Sequence, residues 1–471
     1  MEAATTTISQ LADFVDRTSF ADLPASVVVE TKRLLLDAIG CALAGVASDK
    51  GKWGLEFART FFAGSPQATV IGFGDRMSAL GAAFVNGELI NGLDYDAAGK
   101  HLPPFVVPAS LAVAELNGAT GKEFITACAL AHEIGIRISG GMSSYRDIVN
   151  DKTGFPPVSG HSCSIFGGAA AVAKLEKFSK DQLAQALSLA GLICPMQIQA
   201  NMVKSERPTA AKYLLAGWVS QAEITAAYLV RAGHRGDLAT LDGDYGFWRY
   251  AGSSNWNADS VVAALGKEWR FPRATPLKLY PCCRIMHGAL DCLTAVIEKN
   301  GLRFQEIDGI HAYIEASCVE PVFSNRDIKS QVDAQFSVAY NLSVLAYGTK
   351  PGIGWQERDT LSNPEIRKLM EKIAFEPHPG YVEALKKDPQ ARLSKVEVSA
   401  RGMTFVEERP YIKGTPTSDP ATTITDAELM AKFKDNAFPI LPPGKVNDAC
   451  NRLMDLDSVG DITTIVELLH L

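Results

Sequence analysis

The chain has 471 residues, of which 47% are hydrophobic and 21% charged, a composition typical of a globular protein with more than one domain. Its net charge of −7 and its lack of any basic block argue against partners such as nucleic acid or an anionic membrane surface. No apolar run is long enough to span a bilayer, and residues 1–14 lack the features of a signal peptide, so we expect a cytoplasmic protein.

Nine cysteines are scattered along the chain, and no two of them form a C-x-x-C pair. That pattern fits neither a disulfide framework nor a zinc site, so we expect reduced and mostly buried thiols. The sequence also lacks the motifs for dinucleotides, nucleoside triphosphates, zinc hydrolysis and serine hydrolysis. We therefore expect neither a cofactor nor a metal ion.

The first half of the chain has apolar residues at helical spacing with small residues between them, which predicts closely packed helices. These predicted helices cover residues 26–45, 78–93, 105–117, 122–138, 164–177 and 180–192. Ser179 and Gln182 form a capping box in front of the last of them. Thr209 is the expected N-cap of a further long helix that runs to Ala232.

A lobe of mixed structure is predicted after residue 272. The two-residue alternation of apolar and polar side chains over residues 310–315 is typical of a half-buried strand. A hairpin is expected over residues 396–408, and a helix over residues 333–347 lies between these strands in the chain.

The last part of the chain is predicted to be helical again, beginning with a capping box formed by Thr425 and Glu428. The order helical, mixed, helical predicts a mostly α protein in which a smaller domain is inserted into a larger one. The large all-α domain comprises residues 1–272 and 417–471, and the α+β lid comprises residues 273–416.

Residues 274–289, ATPLKLYPCCRIMHGA, bring several chemically active side chains to the predicted domain boundary. A helix is predicted from Arg284 to Asn300, with His287 on its polar stripe beside Asp291. A polar stripe favours a solvated surface histidine. The alternative is a titratable group that faces the other lobe.

Another histidine follows a helix end. Asp94 and Asp96 close the helix predicted up to residue 93, and His101 comes after a short loop, before Pro103 begins the next helix. A histidine in such a loop either fixes the backbone by a hydrogen bond or takes part in catalysis.

Two positions in front of later helices could also supply chemistry. His161 precedes the helix predicted at Ser164, where the positive end of the helix dipole favours a neutral ring that can act as a base. Lys204 stands near Arg207 and Lys212. This group is either a solvated charge cluster or an anchor for carboxylates, because arginine matches the two oxygens of a carboxylate.

Together these segments resemble the MmgE/PrpD family, which includes 2-methylcitrate dehydratases, cis-aconitate decarboxylases and an iminodisuccinate epimerase. The matching segments follow the family order along almost the whole chain: LDAIGCALAG at Leu36, NGLDYD at Asn91, VVPASLAVAE at Val106, GHSCSIFGGAAAVAKL at Gly160, MVK at Met202, LDGDYGFW at Leu241, LKLYPCCRIMHG at Leu277, DAQFSVAY at Asp333 and KGTPTSDP at Lys413. The resemblance implies a helical domain built from both chain ends, a smaller inserted lid and a homodimer.

Carried over position by position, the resemblance implies a set of catalytic residues, which are Asp94, His101, His161, Lys204 and His287. In this set Asp94 would orient a histidine ring. It also places Lys278 and Tyr280 beside His287, and we expect these two residues and Arg207 to bind the substrate.

The chain departs from the family pattern at positions in the expected pocket. Ala97 and Ala98 stand where the family has Asp-Thr after the LDYD element. The segment SERPTAA lacks the histidine and glycine that usually follow the motif lysine, Lys204. Phe323 stands where decarboxylase-like members have a tyrosine.

These residues predict a metal-independent lyase, of dehydratase or decarboxylase type, that acts next to a carboxylate of a small di- or tricarboxylate. Removing a proton there leaves negative charge on the carboxylate oxygens, so histidines would serve as acid and base while lysine and arginine face the charge. The alternatives are an epimerase of a small dicarboxylate such as iminodisuccinate and a non-catalytic carboxylate-binding or scaffold protein.

The two-domain arrangement makes a geometric prediction. Five residues are expected to converge on one cleft between the domains: His101, His161, Lys204, Lys278 and His287. Three other histidines are expected outside it: His311, His378 and His470.

Overall fold

Helices form most of the first part of the chain, where apolar and small residues recur at helical spacing. The computed structural model describes residues 5–155, 160–196, 199–212 and 214–471. The helices of the first part are α1 (Thr7–Arg17), α2 (Ala25–Gly45), α3 (Asp49–Phe61), α4 (Ala79–Ile90), α5 (Leu102–Asn117), α6 (Gly121–Gly140), α7 (Ser164–Leu175), α8 (Lys180–Leu192), α9 (Gln199–Lys204), α10 (Ala216–Arg231), α11 (Phe247–Tyr250), α12 (Ala258–Val262) and α13 (Phe271–Ala274). Between α3 and α4 the chain forms a short antiparallel ribbon of β1 (Ala68–Thr69) and β2 (Arg76–Met77).

These helices approach one another closely because glycines stand at their contacts. A Cβ atom on Gly167 of α7 would lie 2.1 Å from the carbonyl oxygen of Ala131 in α6. A Cβ atom on Gly217 of α10 would lie 2.1 Å from the carbonyl oxygen of Phe84 in α4. Each pair of helices therefore meets at backbone contact, as the small residues in the sequence predict.

The start of α10 differs from the prediction, whereas the capping box of Ser179 and Gln182 in front of α8 is confirmed. Helix α10 begins at Ala216 and not after Thr209, because Lys212 has a left-handed backbone conformation with φ of 49°. The buried ammonium group of Lys212 donates a hydrogen bond of 2.6 Å to the carbonyl oxygen at the end of α4. This contact holds the segment before α10 as a loop.

The middle part of the chain combines short helices with a sheet. Its helices are α14 (His287–Asn300), α15 (Pro321–Ser324), α16 (Gln331–Phe336), α17 (Val338–Ala346), α18 (Arg358–Ser362), α19 (Pro364–Met370) and α20 (Tyr381–Lys387). Its strands are β3 (Ile307–Ile314), β4 (Ile373–Pro377), β5 (Ser394–Ala400) and β6 (Met403–Arg409).

The sheet has the order β4-β3-β5-β6, with β3 parallel to β4 and antiparallel to β5. Arg401 and Gly402, with φ of 55° and 71°, form a two-residue turn whose positive φ angles match the twist of the β5–β6 hairpin. Helix α14 packs on this hairpin. The predicted strand and hairpin are confirmed, while β4 was missed because only Ile373 of its residues is fully buried.

The helix predicted over residues 333–347 is interrupted at Ser337. The Ser337 hydroxyl accepts a hydrogen bond of 3.2 Å from the amide of Tyr340 and donates one of 2.6 Å to the carbonyl oxygen of Asn325. Ser337 therefore caps α17 and separates it from α16.

The last helices return to the first part of the chain. They are α21 (Asp426–Ala437), α22 (Pro443–Met454) and α23 (Thr463–Val466). Helices α21 and α22 pack on α2, and the capping box of Thr425 and Glu428 is confirmed. The fold is mostly α with a smaller sheet-containing part, as predicted. Within the described ranges no helix has the length and apolarity needed to cross a membrane.

Candidate active site

A cavity of about 510 Å³ lies where the helical part of the chain meets the middle part. His101 and His161 line it from the helical part, and Arg284 and Phe323 line it from the middle part. A concave space of this size, bounded by convergent polar groups, is typical of a small-molecule site.

The loop between α4 and α5 forms one wall of this cavity and is conformationally strained. Asp94, Lys100 and His101 all have left-handed backbone conformations, with φ of 55°, 68° and 51°. Residues other than glycine rarely adopt this conformation, and it persists where the surrounding structure enforces it, often at functional sites.

The segment before α14 enforces this loop conformation. The amide of Ala98 donates a hydrogen bond of 2.8 Å to the carbonyl oxygen of Pro276. Next to it, Gly99 approaches so closely that a Cβ atom there would lie 2.1 Å from the carbonyl oxygen of Ala274. The strained loop is therefore fixed against the start of the middle part.

His101 and His161 form a pair on the cavity wall, with ring centroids 5.6 Å apart. Nδ1 of His101 lies 2.7 Å from Oδ2 of Asp96. Burial raises the pKa of Asp96, but the charge and hydrogen bond of His101 outweigh burial and bring the pKa below its usual value. This carboxylate is therefore ionised. An ionised carboxylate only accepts, so Nδ1 donates and Nε2 is the nitrogen that can exchange a proton with a ligand.

The ring-orienting contact seen at His101 comes from Asp96, whereas the sequence prediction gave that role to Asp94.

His161 lies in the turn before α7, where the helix dipole predicts a neutral ring. Burial, followed by the charges of His101 and Lys100, holds the pKa of His161 well below its usual range. The ring is therefore neutral at pH 7, and burial is the main cause.

Asp94 is the centre of a buried ion cluster. Its Oδ2 accepts a hydrogen bond of 2.7 Å from Nζ of Lys278, and its Oδ1 lies 3.4 Å from Nζ of Lys212. Burial raises the pKa of Asp94, but the two ammonium groups outweigh it and hold the pKa well below its usual range. Lys278 is fully buried and does not line the cavity, so it holds the loop in place.

Lys432 of α21 links the same loop to both ends of the chain. Its Nζ donates to Oδ1 of Asp37 in α2 at 2.6 Å, to the carbonyl oxygen of Tyr95 at 2.8 Å and to that of Lys278 at 2.9 Å. The side chain is buried, and its charge is balanced by Asp37. This one ammonium group therefore joins α2, the site loop and the segment before α14.

The two cations predicted to anchor carboxylates lie at the surface. Nζ of Lys204 is 2.7 Å from Glu320, and the guanidinium group of Arg207 pairs with Asp327. The two basic side chains are 64% and 61% exposed, respectively. Both carboxylates belong to the middle part, so these pairs bridge the two parts outside the cavity lining.

His287 is fully buried at the start of α14, so its interpretation as a solvated surface histidine is wrong. Its Nε2 lies 3.1 Å from the carbonyl oxygen of Cys282, and its Nδ1 has no hydrogen-bond partner among the described residues. Burial, aided by the charges of Arg284 and Lys278, holds the pKa of His287 well below its usual range. Residues 283–285, and not His287, line the cavity at this place.

Tyr280 packs against His287, as the resemblance implies, with the two rings edge to face at 5.1 Å. Its hydroxyl lies 3.1 Å from Oδ1 of Asp291 and stays inside the middle part. Of the five residues expected in one cleft, the structure places two in the cavity lining, His101 and His161. The control histidines, His311, His378 and His470, are outside that lining.

Sequence reasoning proposed none of the five lysine and arginine residues that line the cavity, which are Lys100, Arg146, Arg273, Arg284 and Arg392. Arg284 belongs to the segment 274–289, and its position between Cys283 and the α14 start was the one available signal. Lys100, Arg146 and Arg392 come from loops without periodicity, and Arg273 comes from the single-turn helix α13. No group of three His, Cys, Asp or Glu side chains in the described residues is arranged to hold a metal ion.

Two sequence models of known domains match the chain in order. The MmgE/PrpD N-terminal domain matches residues 9–258, and the MmgE/PrpD C-terminal domain matches residues 280–456. The chain belongs to the MmgE/PrpD family. The resemblance inferred from the motifs is thereby confirmed.

Several curated relatives of this MmgE/PrpD protein carry the name cis-aconitate decarboxylase. The relative from Aspergillus terreus is 24% identical, with 95% of this chain and 93% of the relative covered. The Homo sapiens relative is 23% identical, with coverages of 94% and 90%. A relative from Aspergillus oryzae, named a cis-aconitate decarboxylase-like protein, is 25% identical, with coverages of 98% and 96%.

The positions at which this MmgE/PrpD chain departs from the family pattern can now be placed. Ala98 and Phe323 line the cavity, whereas Ala97 is buried in the core. Lys204 and the loop after it lie at the surface, beside the cavity-lining residues Met202 and Val203. Two of the departures therefore change the wall that a ligand would touch.

Proposed function

We propose that this protein is a lyase of decarboxylase or dehydratase type that acts, without a metal ion, next to a carboxylate of a small di- or tricarboxylate. The observation that carries the proposal is the pair His101 and His161 in a cavity lined by cations. The relatives named cis-aconitate decarboxylases support the same reaction class.

The proposed chemistry creates negative charge beside a carboxylate. Loss of a proton or of carbon dioxide leaves an electron pair that delocalises toward carboxylate oxygens. Lys100 lines the cavity next to His101, so its ammonium group can face that charge. In dehydration a hydroxide then leaves with a proton from an acid, and in decarboxylation a proton returns to the carbon chain.

The two histidines suit different steps of this reaction. His161 is neutral, because burial and nearby cations lower its pKa, so we assign it the role of base. His101 is held by Asp96, which compensates the positive charge when the ring carries a second proton, so we assign it the role of acid.

For the other predicted residues we propose supporting roles. Asp94 and Lys278 hold the strained loop, and His287 with Tyr280 forms the packed layer behind residues 283–285. Lys204 and Arg207 join the two parts of the chain beside the cavity.

An epimerase of a small dicarboxylate is the second candidate, and the identity of two lining residues favours it. Ala98 and Phe323 present no polar side-chain atom to the cavity. An epimerase only returns a proton to the opposite face of the carbon, so it needs no group to assist a departing hydroxide.

The test is to incubate the protein in deuterated water with citrate-like, aconitate-like and aspartate-derived carboxylates and to follow each by NMR. Loss of a carboxylate indicates decarboxylation, and alkene formation indicates dehydration. Deuterium incorporation with loss of stereochemistry indicates epimerisation. Binding without any of these changes across the panel would favour the non-catalytic alternative and overturn the lyase proposal.

We further propose that the protein is a cytoplasmic homodimer. Trp53, Phe57 and Phe61 recur every four residues along one exposed face of α3, and Trp53 and Phe61 are 58% and 68% exposed. A contiguous apolar stripe of this kind is typical of a contact surface. Replacing Trp53 and Phe61 together by glutamate should convert a dimer into a monomer in sedimentation analysis, and an unchanged mass would remove this surface from consideration.

A further inference from the structure

Three arginines from distant parts of the sequence meet on the cavity wall. Arg146 comes from the loop after α6, Arg284 from the turn before α14 and Arg392 from the loop before β5. We call them the arginine cluster. It lies across the seam between the helical part and the middle part of the chain.

The three arginines share few anionic partners. Arg146 forms a two-pronged contact with Glu315, with its Nη2 at 3.2 Å and 3.1 Å from the two carboxylate oxygens. Arg392 reaches the same carboxylate at 3.6 Å. Arg284 donates to the carbonyl oxygen of Leu277 at 2.8 Å and to the Thr415 hydroxyl at 2.7 Å, both uncharged.

The cavity wall therefore carries an excess of positive charge. Its described lining contains five lysine or arginine side chains and one carboxylate, Asp147. Three more carboxylates act on the cluster from behind the wall, Glu315, Asp291 and Asp388. Even with all four carboxylates ionised, five cations against four anions leave a net charge of +1.

Burial makes this excess costly. Burial, opposed by Asp291 and reinforced by the neighbouring guanidinium groups, lowers the pKa of Arg284 to about 9. Burial and the charge of Arg146 also lower the pKa of Arg392, although Glu315 acts in the opposite direction. Like charges in a low-dielectric wall repel one another strongly, and an anion in the cavity would relieve that repulsion.

We propose that the arginine cluster binds a carboxylate of the substrate that is remote from the reacting carbon, so that the protein selects substrates with three carboxylates over those with two. This inference rests on the proposed function, because it assumes that the histidine pair marks the reacting carbon. Arg284 and Arg392 are the main ligands, since Arg146 is already paired with Glu315. These arginines act as specificity-determining residues.

The test compares two unreactive probes by calorimetry. Tricarballylate has three carboxylates, and 2-ethylsuccinate is the same molecule with a methyl group in place of one terminal carboxylate. We expect the wild-type protein to bind tricarballylate about ten- to a hundredfold more tightly, as charge-assisted hydrogen bonds to a buried group allow. In Arg284→Gln and in Arg392→Gln this ratio should fall towards one, while Arg303→Gln, an exposed arginine paired with Glu306, should keep it.

A second measurement needs no variant. Phenylglyoxal modifies arginine side chains, and mass spectrometry identifies which of them tricarballylate protects in the wild-type protein. We expect protection of Arg284 and Arg392 and none of Arg303. Equal affinity for both probes, or a ratio that both variants leave unchanged, would overturn the proposal, as would the absence of protection.

The outcomes also separate this inference from the proposed function. A preference for tricarballylate that depends on the arginines, in a protein that converts none of the carboxylates tested, would retain the anion site and remove the lyase. Turnover with an unchanged ratio in both variants would retain the lyase and remove the arginine cluster as its selectivity device.

Discussion

The cluster around Asp94 and the arginine cluster differ in how far their buried cations are balanced by carboxylates. Asp94 is contacted by Lys278 and Lys212, and Asp96 contacts His101, so carboxylates and cations balance. In the arginine cluster Arg146 and Arg392 share the carboxylate of Glu315, while Arg284 donates to two uncharged acceptors. A balanced buried cluster holds a conformation, whereas an unbalanced one is suited to receive a charge of the opposite sign.

The largest expected effect is on kcat, because the balanced cluster around Asp94 and Asp96 positions the histidine pair. His161→Gln should lower kcat by about 10²- to 10⁴-fold, because it removes the base while the arginine cluster stays intact. The affinity for tricarballylate should change little. His234→Gln, at an exposed position of the chain, is the control. A variant that keeps kcat and loses affinity would assign His161 to binding.

A stability measurement separates the two clusters directly. Lys278→Met leaves Asp94 as a poorly compensated buried charge and should lower the free energy of unfolding by about 3–5 kcal/mol. Arg392→Gln should cost much less, because it also relieves repulsion between cations. Thermal denaturation of both variants checks this. Equal losses would mean that the arginine cluster is as structural as the lysine pair.

The pH dependence of activity tests the role of His161 as the base of the histidine pair. A base works when it is neutral, so activity falls as the pH drops through its pKa in the folded protein. Lys100 is one of the charges that lower the pKa of His161, so Lys100→Gln should raise that pKa and move the acid limb of kcat/KM to higher pH. Lys299→Gln, at an exposed site, should leave the limb in place, and an equal shift in both would point to a general charge effect.

The last prediction is that removal of metal ions has no effect on kcat. If side-chain cations do the electrostatic work in both clusters, dialysis against a chelator should leave kcat unchanged. Activity that disappears and returns with one equivalent of a divalent metal would replace the lysine and arginine roles by a Lewis acid.

The helices were predictable because their signals are local. The capping boxes at Ser179 and Thr425 and the apolar spacing of α2 lie within single segments, and all three are confirmed. The start of α10 was not predictable, since it depends on a hydrogen bond from Lys212 to the distant end of α4. The break at Ser337 likewise depends on Asn325, outside the helix.

In the candidate site, too, the residues with local sequence signals were predictable and those that depend on distant contacts were not. His101 and His161 were found because family motifs surround them, and both line the cavity. The partner of His101 was harder to choose, because Asp94 and Asp96 are two residues apart and only the folded chain shows that Asp94 contacts Lys278 while Asp96 contacts His101. Arg146 and Arg392 carry no local signal, since the cavity that unites them exists only in the folded chain.

The contacts of Lys432 imply that the site can be completed only after α21 has been synthesised. The ammonium group that holds the carbonyls of Tyr95 and Lys278 belongs to α21, which follows both residues by more than a hundred positions in the chain. During synthesis the histidine loop and the start of the middle part are complete long before α21 leaves the ribosome. A nascent chain can therefore contain every residue of the cavity wall and still lack the contact that holds the loop, so the site becomes fully organised only after α21 has been synthesised.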